Sequence, residues 1–302
     1  MRWGSFMVWS AMVVLAAAGC QRPAVDRTAA TRPDGVSGAT AKWTRDSLRT
    51  YPLDRRGFTP VDKKLAEGKP VVDDAEGSLN PYVMRVVEAY PLDGSYPYHA
   101  DFKQSEYDIY NGVTQHIWYR GCVVAKAHPD GSRCSYCCGL TFEILVRAMK
   151  LRNMAKGLDP DDFNGMSFTD LFNLLQLWYI EGEGDSPQRG IEAYGLGRAI
   201  KNFEEAKAGD FADYSCTPPG GHSVIFIEWL RDEAGKIVGL KYFSSNLGSG
   251  LGYQTTRFSD CGGRVLRDTL RIARVVSIES YRRFDRTKIP LRQAYAPNQP
   301  VW

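Results

Sequence analysis

The apolar residues of this chain follow helical spacing first and strand spacing later. A helix is predicted from Cys137 to about Arg152, and its apolar positions recur at helical intervals. Those positions are Leu140, Ile144, Leu145, Ala148 and Leu151. Three more helices are predicted at about residues 169–179, with Ser167 as the cap, 187–196 and 198–205. Residues 82–90 suit either a helix or a strand, and 109–119 and 122–127 are predicted to be extended.

Strand patterns dominate after residue 208. Ala208-Gly209-Asp210-Phe211 is predicted to start a strand. Residues 222–230 are apolar on both faces, which indicates a central strand, and 237–244 form its antiparallel partner after a polar turn. One or two further strands are predicted within 264–281. Helices followed by strands indicate an α+β domain.

The N-terminus has the pattern of an export signal. A positive charge at Arg2 precedes an apolar stretch, and Ala17-Ala18-Gly19-Cys20 supplies small residues before a cysteine. The pattern resembles the lipobox of bacterial lipoproteins, although Ala17 stands where that motif prefers Leu. The resemblance implies cleavage after residue 19 and lipidation of Cys20, which would place the chain in the cell envelope as a membrane-anchored lipoprotein. Plain secretion, as a soluble or periplasmic protein, is the alternative.

Composition separates the remaining chain into parts. Residues 20–45 have hardly a large apolar side chain and are predicted to be a disordered tether. Residues 46–105 are polar and turn-rich and are predicted to be an extension that wraps the core. A net charge of +3 gives no reason to expect a nucleic-acid partner. No later stretch is apolar enough for the ~20 residues of a spanning helix.

Six cysteines follow Cys20. An exported chain can pair them, and Cys122 with Cys134 or Cys216 with Cys261 are possible bridges. Spacing alone does not fix the connectivity.

Cys137 and Cys138 are the residues with the clearest chemical potential. Thiols at a helix start lie where the helix dipole favours the thiolate, which is the nucleophilic form. His222 stands at the mouth of the predicted central strand, as a general base would. If the following turn centres on Ala234, His222 faces Asn246 across the hairpin, where a third group would orient the imidazole.

Three motifs resemble one protein family. Cys137-Cys138-Gly139-Leu140 is similar to the Cys-Ser-Gly-Leu that opens the nucleophile helix of NlpC-like, papain-fold cell-wall amidohydrolases. Ala208-Gly209-Asp210-Phe211 resembles that family's Gly-Asp strand start, and Gly221-His222-Ser223-Val224-Ile225-Phe226 resembles its histidine strand. The motifs also occur in the family's order. The similarity covers about residues 112–259.

The resemblance implies a papain-like α+β domain over residues 106–285, with the nucleophile helix packed on an antiparallel sheet and a tail at 286–302. Cys137 would be the nucleophile and His222 the base. Asn246 would orient the imidazole. The Cys137 backbone N–H would stabilise the oxyanion, together with Tyr119 or Gln115.

The implied activity is that of a cysteine peptidase or amidase, a hydrolase acting on peptide bonds of peptidoglycan stems without a metal or an organic cofactor. Two departures from the family pattern stand out. Tyr136 replaces the usual Asp before the nucleophile, which weakens the inference of a cell-wall peptide substrate. A predicted helical insertion at residues 159–200 lengthens the span between Cys and His and is expected to shape the cleft.

Other interpretations remain open from the sequence alone. Cys138 is the alternative nucleophile, and both thiols suit core or disulfide positions. The sequence also offers a zinc site of Cys134, Cys137 and Cys138 with His128 or Cys122, because Cys134 and Cys137 have the Cys-x-x-Cys spacing of zinc ligands. No second Cys-x-x-Cys or histidine pair completes such a site. Asn246 also suits a turn, and His222 suits a structural role. The fold would equally serve a non-catalytic envelope-binding lipoprotein, or a transamidase or acyltransferase. His99, His116 and His128 are predicted to be surface or loop residues.

Overall fold

A computed structural model describes residues 59–101, 103–179, 186–217 and 220–289. The predicted signal segment 1–19, Cys20, the tether 20–45, the start of the extension and most of the tail lie outside these ranges. The helices are α1 Pro60–Glu67, α2 Asn80–Val87, α3 Gln104–Tyr107, α4 Cys137–Ala155, α5 Phe168–Trp178 and α6 Ser186–Ala193. The strands are β1 Ile117–Tyr119, β2 Cys122–Ala125, β3 Gly197–Ala199, β4 Phe211–Cys216, β5 Gly220–Arg231, β6 Ile237–Asn246, β7 Gly250–Arg257 and β8 Arg271–Val275.

Six strands form one antiparallel sheet in the order β3-β8-β4-β5-β6-β7, and β1 and β2 form a separate hairpin. The predicted α+β class with an antiparallel sheet is therefore confirmed. Strand β5 is central, as its apolar residues on both faces predicted. Two apolar clusters lie on opposite faces of the sheet, one around Ile225 and Phe243 and the other around Val224 and Phe226.

Helix α4 packs on the Ile225 face and is buried along almost its whole length. Every residue from Gly139 to Met154 is buried, including the charged residues that a surface helix would turn to water. Each of these charges has a partner: Arg147 with Glu143, Lys150 with Asp161 at 2.6 Å, and Arg152 with Glu279. The helical spacing of the apolar positions was correctly predicted, but the burial of the opposite face was not.

The N-terminal extension is joined to α4 by a buried ionic cluster. Arg147 binds Glu143 at 2.9 Å and Asp62 of α1 at 2.7 Å. Glu143 also accepts hydrogen bonds from the Tyr90 hydroxyl at 2.8 Å and the Thr114 backbone N–H at 2.7 Å. Because buried charges are tolerated only when they are paired and hydrogen-bonded, the cluster fixes the extension to the helix. All described residues belong to one compact unit.

Three sequence predictions need correction or refinement. Residues 198–205 are not a helix: they begin in β3, which pairs with β8 at the edge of the sheet, and end in a short 3₁₀ turn, Phe203–Glu205. Strand β7 was not predicted, although it pairs with β6 along its whole length. The insertion 159–200 contributes α5, whose Trp178 donates to Thr141 of α4 at 3.0 Å, so it is part of the core. Ser167 caps α5 as predicted.

No helix among residues 59–101, 103–179, 186–217 and 220–289 combines the length and apolar character needed to cross a membrane.

Candidate functional site

Cys137 is the first residue of α4, as its sequence motif predicted. Tyr136 before it is extended and contributes no side-chain cap, so the first-turn N–H groups of α4 point into the space ahead of the helix. These groups carry the positive end of the helix dipole. The Cys137 side chain is half-buried. A nucleophile here would have backbone donors beside it without any special loop.

Gly139 explains why the helix can start at this place. A Cβ atom on Gly139 would lie 2.3 Å from the Gly112 carbonyl oxygen, a distance that no side chain tolerates. The Tyr136 backbone N–H donates to the same carbonyl at 3.2 Å. The segment before β1 therefore packs directly against the first turn of α4, and only glycine permits it.

The pKa of the Cys137 thiol lies well below its ordinary value. The largest cause is a hydrogen bond from the Cys138 thiol. A hydrogen bond from His222 and the positive charge of His222 lower the pKa further. The backbone N–H of Ser223 also donates to the sulfur, whereas burial acts in the opposite direction. Together these contacts favour the thiolate, which is the reactive form.

His222 and Asn246 meet as the predicted register requires. The pairs Ile225 with Phe243 and Phe226 with Tyr242 belong to the register that sets His222 opposite Asn246. The Nε2 atom of His222 lies 3.2 Å from the Asn246 Oδ1 atom. The register shifts only beyond Phe226, away from the site.

The orientation of the Asn246 amide follows from its other contacts. Its Nδ2 atom lies 3.0 Å from the Ser244 carbonyl, 3.3 Å from that of Gly250 and 3.2 Å from that of Gly252. These acceptors fix the nitrogen, so Oδ1 faces the imidazole and accepts from the Nε2–H group. That tautomer leaves the Nδ1 lone pair of His222 to accept the thiol proton.

The thiol reaches His222 at the end of the sheet. Thr141 of α4 contacts Ser223 at 2.9 Å, so the helix covers the sheet face opposite to His222. Helix α4 therefore does not lie on the sheet face that carries His222 and Asn246. Pairing between β5 and β6 begins only at Ile225, whereas β4 stays paired with β5 to Gly220. The sulfur, hydrogen-bonded to the Ser223 N–H, lies where β5 and β6 separate.

Of the two predicted oxyanion side chains, Tyr119 is engaged elsewhere. The Tyr119 hydroxyl donates to the Met166 carbonyl at 2.8 Å and accepts from the Phe163 N–H at 3.2 Å, which places it in the core beside the insertion. Gln115 is buried, and the Gln115 Oε1 atom has no hydrogen-bond partner among the described residues. The neighbouring Thr114 binds Glu143, well inside α4. The first-turn N–H groups remain as donors beside the thiol.

Two tyrosines flank His222 that the sequence reasoning missed. The ring of Tyr214 on β4 lies 5.9 Å from the imidazole, and that of Tyr242 on β6 lies 5.3 Å away, both edge to face. Tyr214 is the direct cross-strand partner of His222. A register argument across the β4–β5 turn, like the one used for Asn246, would have found it.

The remaining predicted positions have structural roles or other neighbours. All six cysteines in the described ranges are free thiols, so neither suggested disulfide is present. Asp210 of the Gly-Asp motif is fully buried and binds Arg274 of β8 at 2.8 Å, which makes it a structural residue. His99 and His128 lie in loops, as predicted, and they meet Glu106 in a cluster.

No protein-family model, curated protein or solved structure matches this chain.

Proposed function

We propose that this protein is an exported cysteine amidohydrolase with a papain-like catalytic arrangement. The single observation that carries the proposal is the ordered contact Cys137–His222–Asn246, with the thiol at a helix start and a lowered thiol pKa. A buried structural cysteine would have its pKa raised, as burial does for Cys216. The two thiols therefore have opposite environments in one chain.

The arrangement supports a two-step acyl transfer. The Cys137 thiolate attacks an amide carbonyl, and the protonated His222 then gives its proton to the departing amine. The N–H groups of the first turn of α4 would stabilise the oxyanion of the tetrahedral intermediate. In the second step His222 takes a proton from water, whose oxygen attacks the thioester and releases the acid. Asn246 accepts the Nε2–H of His222 in both the imidazolium and the imidazole, so Nδ1 is the nitrogen that gives and takes the proton.

The substrate class is proposed from the motif resemblance together with the export signal. A lipid anchor at Cys20 would hold the domain in the cell envelope, where the stem peptides of peptidoglycan supply amide bonds. The proposed partners are therefore the peptide part of the cell wall and, through the anchor, a membrane surface.

The test combines cleavage with thiol labelling. The chain from residue 21 onward is incubated with peptidoglycan stem peptides, and new amine termini are identified by mass spectrometry. Cleavage should be lost in Cys137→Ser and fall about 10²–10⁴-fold in His222→Ala. Cys216→Ser is the matched control, because it removes a thiol outside the site, and it should cleave like the parent chain.

Labelling by iodoacetamide gives an independent readout that needs no substrate. Because its pKa is lowered, Cys137 should label quickly at mildly acidic pH, and its rate should drop only as the pH falls through that lowered value. Cys216, whose pKa is raised, should label slowly until alkaline pH. Slow labelling of Cys137 at pH 6 would contradict the proposal. A binding protein would give a different combination of results. Its Cys137 would label fast, the chain would bind stem peptides tightly in both the parent and Cys137→Ser, and neither chain would cleave them.

A further inference from the structure

A second cluster of chemically active side chains lies apart from the thiol. His99, Glu106 and His128 each offer a ligand atom, and these atoms all lie within 4.8 Å of one another. The Nε2 atom of His99 contacts the Glu106 carboxylate directly. The imidazole rings of His99 and His128 are 5.2 Å apart, edge to face. We propose that these three residues bind a divalent transition-metal ion of the zinc type.

The side chains around the cluster orient its ligands. The Asp130 carboxylate lies 2.7 Å from Nδ1 of His128, and the Asp130 backbone N–H lies 3.4 Å from the same nitrogen. The shorter contact makes Nδ1 a donor to the carboxylate, which leaves Nε2 to bind the ion. A carboxylate behind a ligating histidine is the usual second layer of a metal site. The second oxygen of Glu106 accepts from the Asp101 N–H, so it is also held in place.

The packing beneath the cluster is aromatic. The Tyr110 ring lies 5.1 Å from that of His128, and the Tyr110 hydroxyl donates to the His99 carbonyl at 3.2 Å. Tyr110 itself is fully buried. The two histidines are thus positioned against the core, while the His99 side chain is about half exposed and open to an ion from solvent.

The donor set selects the class of ion. Two imidazole nitrogens and one carboxylate oxygen are ligands of Zn²⁺ and its first-row neighbours, whereas Mg²⁺ and Ca²⁺ prefer oxygen alone. Three protein ligands on an accessible surface leave a fourth position for water. No cysteine belongs to the cluster within the described part of the chain, so the site is chemically distinct from the thiol centre.

The ion would join two segments that meet just before the nucleophile helix. The His99 N–H donates to the Ser135 carbonyl at 2.9 Å, and the Ser135 N–H donates to the Pro97 carbonyl at 3.0 Å. Ser135 precedes Cys137 by two residues. Metal binding at His99, Glu106 and His128 would therefore clip the extension to the loop that sets the start of α4.

The experiment is a calorimetric titration of the mature chain with ZnCl₂ at pH 7. A Cys137→Ser, His222→Asn background removes the competing thiol–imidazole pair. One ion per chain is expected. His128→Ala should weaken binding at least 100-fold and Asp130→Asn about 10–100-fold, because the latter removes only the orienting carboxylate. The matched control is His116→Asn, a histidine outside the cluster that should bind like the background chain.

Cobalt substitution identifies the ligands independently of affinity. Co²⁺ bound by nitrogen and oxygen should show visible d–d bands without a thiolate charge-transfer band in the near ultraviolet. Circular dichroism checks that each variant is folded. If His128→Ala does not fold, Glu106→Gln at a partly exposed position replaces it as the test of the ligand set. Three results would overturn the proposal: zinc binding that survives both His128→Ala and Glu106→Gln, a thiolate band in the cobalt spectrum, or no binding of zinc by the background chain.

Discussion

The replacement Asn246→Ala tests the candidate site as an arrangement, because this side chain has two separable roles. Its Oδ1 atom accepts from His222 at 3.2 Å, and its Nδ2 atom faces three backbone carbonyls within β6 and β7. The first contact orients the imidazole that we propose as the base, and the second holds the β6–β7 turn. Alanine removes both, whereas aspartate keeps the acceptor and replaces the amide donor by a charged oxygen that faces the three carbonyls.

The expected magnitudes follow from the hydrogen bonds. A typical intramolecular hydrogen bond contributes about 0.5–1.5 kcal/mol, so losing the His222 contact should lower kcat/KM by roughly 2- to 13-fold. The amide nitrogen carries only two hydrogens, so the three carbonyls share two bonds, and their loss should cost about 1–3 kcal/mol of unfolding free energy. The three carbonyl contacts therefore predict that Asn246→Ala loses stability as well as activity.

The assay pairs stem-peptide cleavage with urea unfolding for four chains: parent, Asn246→Ala, Asn246→Asp and His222→Ala. Asn246→Asp should keep most of the activity while losing stability, and Asn246→Ala should lose some of both. Gln254→Ala, an exposed amide on β7, is the matched control for stability. Activity in Asn246→Ala as low as in His222→Ala, with a folded protein, would refute the division between orientation and proton transfer. Unchanged stability would refute the role assigned to the amide.

Four further changes have definite expected outcomes. Cys138→Ala should move the pH profile of Cys137 labelling upward, since Cys138 is the largest cause of the lowered pKa, whereas Cys138→Ser should keep it because a hydroxyl also donates. Replacing Arg147 by Met leaves the buried carboxylates of Asp62 and Glu143 without their cation and should lower the free energy of unfolding in urea by about 3–5 kcal/mol. A decrease below about 1 kcal/mol would contradict the role given to this ionic cluster. Gly139→Ala should destabilise by roughly 1–3 kcal/mol through overpacking, while Gly252→Ala, where the new methyl meets nothing within 4 Å, should not. The change Cys20→Ala should release the mature chain from membranes without unfolding it, as fractionation would show; a mature chain that stays in the membrane fraction would refute lipidation.

Local patterns predicted the elements that carry the candidate chemistry. The helix start at Cys137, the strand through His222 and the hairpin register opposite Asn246 could all be inferred, because helix spacing and strand pairing are set by nearby residues. The same reasoning failed for residues 198–205, where pairing of β3 with the distant β8 outweighs a local helical pattern. Strand β7 was missed because its exposed polar residues gave little apolar signal.

Sequence alone determined the α+β class, the helix that starts at Cys137, the strand through His222 and the residues capable of nucleophilic chemistry. Only the tertiary structure decided which polar residues act together. The burial of Arg147 with Asp62, the approach of the thiol where β5 and β6 separate, and the meeting of His99 with His128 all depend on contacts between segments far apart in the chain. Such contacts leave no local pattern, because packing of the whole core determines them. Hydrophobic spacing specifies which face of an element is buried, and the fold specifies what that face meets.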